Sequence, residues 1–94
     1  MANKVFISCD EVDKGLFDDE RSVIIHDPKY PNKPIEILAH KSLVRKDGNE
    51  HWLEVWVTGK NASGGLTLLF QMESHAVWLH DYPPTMTKQP EELQ

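Results

Sequence analysis

His51-Trp52-Leu53-Glu54-Val55-Trp56-Val57-Thr58 is dense in β-branched and aromatic residues and stops at Gly59. Such a run reads as a strand. Side chains on a strand alternate between two faces. Leu53, Val55 and Val57 therefore share an aliphatic face that belongs to a core. Trp52, Glu54, Trp56 and Thr58 share the other. Two Trp on a face opposite a core need a cover. That cover is either the chain itself, making a second small core closed by a loop, the tail or barrel curvature, or a partner or second copy. Within this strand, Trp56 in the middle is expected to be buried and Trp52 near the start to be exposed.

Just before this strand, Asp47-Gly48 is a type I′ hairpin signal. It pairs Leu43 to Lys46 with Asn49 to Trp52, setting Arg45 against Glu50 and Leu43 against Trp52. After it, Gly59 to Gly65 is rich in turn formers. Leu66-Thr67-Leu68-Leu69-Phe70-Gln71 reads as a strand with Leu66, Leu68 and Phe70 inward. Ala76-Val77-Trp78-Leu79-His80-Asp81-Tyr82 is another, with Val77 and Leu79 on one face and Trp78, His80 and Tyr82 on the other. Pro83-Pro84 ends it. Residues 85–94 are mostly polar and read as a flexible C-terminal tail.

Toward the N-terminus, Val5-Phe6-Ile7-Ser8-Cys9 is a first strand with Val5, Ile7 and Cys9 on one face. The following stretch, Asp10 to Glu20, holds six acids and one lysine and reads as a loop with at most one helical turn, pinned by Leu16 and Phe17. Arg21-Ser22-Val23-Ile24-Ile25-His26 and Ile35-Glu36-Ile37-Leu38-Ala39-His40 are strands. Three prolines in residues 28–34 force an irregular connection between them. Nothing has the length and periodicity of a crossover helix. The fold class is therefore all-β: a small barrel or compact sandwich of five to six mainly antiparallel strands. Residues 1–84 form its single domain.

Ninety-four residues support one modest core. The net charge of −5 argues against direct binding of nucleic acid, which takes a Lys/Arg surface. A single cysteine, Cys9, excludes an intramolecular disulfide and a Cys-ligated zinc site of the usual kind. No run suggests a signal peptide or a membrane span, so the expected location is the cytoplasm. Cys9 sits among apolar residues, where a free thiol usually packs and is inert. No nucleophile elbow, phosphate loop, dinucleotide fingerprint or zinc-protease motif occurs, so no catalytic activity and no cofactor are expected.

The five histidines, His26, His40, His51, His75 and His80, show no metal-ligand spacing, and no metal site is assigned. The expected binding residues are Trp52, Trp56, Trp78, His80 and Tyr82 on an aromatic face, with Asp18, Asp19 and Glu20 on the acidic loop. The expected role is a small acidic protein-binding module, with a protein partner of basic character or a second copy. One alternative is an acidic inhibitor, of the kind carried by viruses and mobile elements, whose carboxylates mimic nucleic-acid charge and block a basic site. The other is a metal protein or enzyme built on His26, His40 or His80.

Overall fold

The computed structural model describes residues 3–15, 17–71 and 75–93. Its strands are β1 (Asn3–Lys14), β2 (Glu20–His26), β3 (Pro34–His40), β4 (Val44–Asp47), β5 (Glu50–Lys60), β6 (Leu66–Gln71), β7 (Ala76–Tyr82) and β8 (Thr87–Lys88). Single turns of 3-10 helix occupy Lys41–Leu43, Pro84–Met86 and Pro90–Glu92. No helix is long and apolar enough to cross a membrane. The sheet runs β3-β2-β1-β5-β6-β7, with β4 also on β5 and β8 also on β1. The expected all-β, antiparallel class holds, while the expected small barrel or compact sandwich of five to six strands is corrected to one open sheet of more strands. There are eight strands among the described residues, all pairs are antiparallel, and the sheet is open because β3 and β7 do not pair.

β1 and β5 form the spine, in register from Asn3↔Val57 to Cys9↔His51. The other edge of β5 is shared by β4, opposite Glu50 to Leu53, and β6, opposite Trp56 to Lys60. The other edge of β1 is shared by β8 and β2. One face of the whole path is apolar. Val5, Ile7, Cys9, Val23, Ile25, Ile37, Ala39, Leu53, Val55, Leu68, Phe70, Leu79 and Tyr82 form one buried cluster. Six strands feeding a single cluster means that the sheet curls around it. Burying each large aliphatic side chain of this set stabilises the fold by roughly 1.5–3 kcal/mol.

Local departures from the expected pattern have physical causes. β1 continues through Asp10 to Lys14, where it pairs with β2 across an irregularity between Asp10 and Asp13. The acidic connection therefore shortens to residues 15–19. Leu16 lies outside the described residues, and Phe17 is exposed rather than pinned. The β4–β5 hairpin turns at Gly48-Asn49, two residues out of the expected register, with Arg45 opposite Trp52. Gly48 has φ of +63° and Asn49 does not enter the positive-φ region. That geometry fits a type II′ turn, where glycine stands at the first central position rather than the second.

In β7, Leu79 faces Leu68 and Tyr82 faces Leu66, so β7 advances three residues while β6 advances two. The extra residue makes a bulge at Asp81, which adopts φ of +57°. Its effect is to move Tyr82 onto the core face. The bulge is locked from two sides. Asn61 Nδ2 donates to Asp81 Oδ1, and Lys29 Nζ lies 3.5 Å from Asp81 Oδ2. A Cβ on Gly65 would stand 2.5 Å from Asp81 Oδ1, so the close approach requires glycine.

Burial, with a smaller contribution from the charge of Asp10, pushes the Cys9 thiol up to about 12. Burial, aided by the charge of Asp27, pushes the Tyr82 hydroxyl up to about 12. The unfolded chain ionises both groups first, so it binds fewer protons than the folded chain as pH rises. Stability is then full below the unfolded values of 9.0 and 10.0 and is lost toward about 12. Unfolding monitored against pH should show this alkaline decline, and Cys9→Ala should remove its lower part. The native thiol should also resist a thiol reagent below pH ~9 until the protein unfolds.

Candidate functional site: the outer aromatic row

The convex face of the sheet opposes the core and divides into two regions. The first is covered. Phe6 is 1% exposed and Trp52 is 6% exposed, although neither belongs to the main cluster. The cover comes from chain ends and cations. β8 brings Lys88 opposite Phe6, and Lys88 Nζ stands 4.6 Å from the Trp52 ring centroid. Lys88 also lies 3.5 Å from Asp47 Oδ2. The Arg45 guanidinium sits 5.1 Å from the Phe6 ring centroid. The segment read as part of a flexible C-terminal tail thus carries β8, which covers a small second core. Within it the Trp52 Nε1 donor is buried without a hydrogen-bond partner among the described residues.

The second region is open. Trp78 faces Leu69, Leu69 faces Trp56 and Trp56 faces Lys4, giving one row across β7, β6, β5 and β1. Trp78 is 50% exposed and Trp56 is 39% exposed. Lys4 Nζ stands 4.6 Å from the Trp56 ring centroid and 3.3 Å from Glu54 Oε1. Beside the row a groove is lined by Leu43, Glu54, Trp56, Leu69 and Gln71, where β4 and β6 part along β5. The expected order of the two Trp is reversed: Trp52 is buried and Trp56 is exposed.

The row ends at β7, an edge of the sheet. The two edges of the path differ. β3 begins at Pro34 and exposes Glu36 and His40, features that block pairing with another chain. β7 carries neither proline nor lysine, and only its far end is bent away by the Asp81 bulge. Residues 76–80 therefore leave a short stretch of backbone edge beside the exposed Trp78.

The other expected residues do not join this row. Tyr82 is 2% exposed in the main core. His80 is exposed on β7 at the start of the bulge. Asp18 and Asp19 are exposed, beside Lys14 and His40 Nε2 respectively. Glu20 is half-buried and its Oε1 accepts the Phe17 N–H at 3.3 Å, so it shapes the turn. His26 Nε2 meets Asp10 Oδ2 at 2.9 Å, while His40 Nδ1 meets Ser42 Oγ at 2.7 Å. These two histidines sit at opposite ends of the β2–β3 hairpin, on the order of 20 Å apart at strand rise. Among the described residues no group of three His, Cys, Asp or Glu side chains is assembled to hold a metal ion. Sequence reading missed Leu69 and Lys4. Their signal lay in the cross-strand register, which no single strand reveals.

Comparisons with protein-family models, with curated proteins and with solved structures return no match for the chain.

Proposed function

We propose that this chain is a protein-binding module that receives an extended segment of a partner along β7. The observation that carries the reading is the Trp56–Leu69–Trp78 row, half open to solvent and continuous with a sheet edge that no described strand pairs with over residues 76–80. Strand addition of this kind draws affinity from main-chain hydrogen bonds and specificity from side chains that alternate over a surface. Exposed Trp at the centre of such a surface typically carries more than about 2 kcal/mol of binding. The net charge of −5 would hasten encounter with a basic partner.

Affinity capture from source cells, quantified side by side for wild type, Trp56→Ala/Trp78→Ala and Tyr30→Ala, tests this. Tyr30 is equally exposed but lies on the β2–β3 connection. A partner held by wild type and Tyr30→Ala and lost from the double variant is the expected result. A partner retained by a folded double variant would place the binding surface elsewhere.

A further inference from the structure

We infer that the end of the curled sheet opposite the Asp81 bulge is a site for a small phosphate-bearing anion. A cavity of about 350 Å³ opens there, lined by Arg21, Lys41, Val44, Lys46 and His51. These residues come from β2, the 3-10 turn after β3, β4 and β5. Arg21 continues the core face of Val23 and Ile25, and His51 continues that of Leu53 and Val55. Lys46 faces His51 across the β4–β5 ladder. The fold thus ends its apolar face in a cationic rim, although the chain as a whole is acidic.

Among the described residues, no carboxylate pairs with the rim. Arg21 Nη1 donates to the carbonyls of Asp18 and Glu20, each at 2.8 Å. Those bonds fix the guanidinium and leave its other nitrogens without a protein partner among the described residues. Among the described residues, Lys41 and Lys46 form no ion pair and no carboxylate lines the cavity. Of the carboxylates nearby, Asp18 pairs with Lys14 and Asp47 with Lys88, while Asp10 and Asp19 lie beside His26 and His40. Glu50 and Asp10 border the adjoining groove, which shares His51.

Two lysines and a planar arginine with free donors suit a dianion better than a single carboxylate. The cavity lies at the lower end of the range for small-molecule sites. A long polyanion is disfavoured because the acidic surface beyond the rim would repel it. The class is therefore a phosphate, diphosphate or phosphorylated small molecule, bound by its phosphate.

The isotope-labelled full chain titrated with inorganic phosphate, pyrophosphate and adenosine diphosphate tests this, each against sodium chloride of equal ionic strength. Saturable shifts should appear at the amides of Arg21, Lys41, Val44, Lys46 and His51, and affinity should rise from phosphate to pyrophosphate. Lys41→Gln/Lys46→Gln should weaken pyrophosphate about tenfold or more while keeping a folded spectrum. Tighter binding of adenosine diphosphate than of pyrophosphate would assign a nucleotide, and equal binding would assign the phosphate group alone. Shifts that match sodium chloride, that map away from the rim, or that survive the double substitution would overturn the site.

Discussion

Trp52→Ala should cost about 3–5 kcal/mol of unfolding free energy, the usual scale for truncating a buried Trp. Trp56→Ala should cost about 1 kcal/mol or less. The two side chains share a strand face and lie four residues apart, so strand propensity and local sequence nearly cancel in the comparison. What differs is the cover: Trp52 is 6% exposed under Lys88 beside Phe6, and Trp56 is 39% exposed beside Lys4. Denaturant unfolding of both variants reads the difference directly, because an exposed substitution usually stays within about 0.5 kcal/mol. Trp52→Phe should retain most of the stability. It keeps an aromatic ring in the second core and removes the Nε1 donor that has no partner among the described residues. Equal losses for Trp52→Ala and Trp56→Ala would contradict the division of the face.

Truncation after Met86 should cost about 2–3 kcal/mol, roughly the burial of one large apolar side chain. The removed segment contains β8, whose pairing with β1 spans Phe6↔Lys88 and Ile7↔Thr87. It also removes the Lys88 ammonium above Trp52 and its contact with Asp47. Phe6 and Trp52 then gain solvent, and Trp52 emission should shift to the red in a protein whose other Trp are replaced by Phe. A truncated chain as stable as the full one would mean that β8 adds nothing to the second core. Lys88→Ala separates the causes, since it keeps the backbone pairing and removes the cation with its aliphatic stem, so it should cost less than the truncation.

These two expectations also show what a single sequence reveals. The limits of β6 and β7, and the core face of β5, follow from two-residue alternation, which is a local property. Tyr82 escaped because one extra residue at Asp81 reverses the faces beyond it, and a bulge leaves no periodic trace. Trp52 and Trp56 exchanged roles because the cover arrives from a segment more than thirty residues away, with a composition that reads as tail. The acidic run became part of β1 because pairing with β2 outweighs its poor strand propensity. The cationic rim is assembled from residues between Arg21 and His51 that are neighbours only after the sheet curls.

Backbone hydrogen exchange of the complex with the captured partner tests the central claim most directly. Amides of β7 on its outward edge should exchange freely in the isolated chain and become protected on binding, together with reduced quenching of Trp56 and Trp78 by acrylamide. Protection that appears instead along β3 or over residues 10–20, with β7 unchanged, would contradict the account.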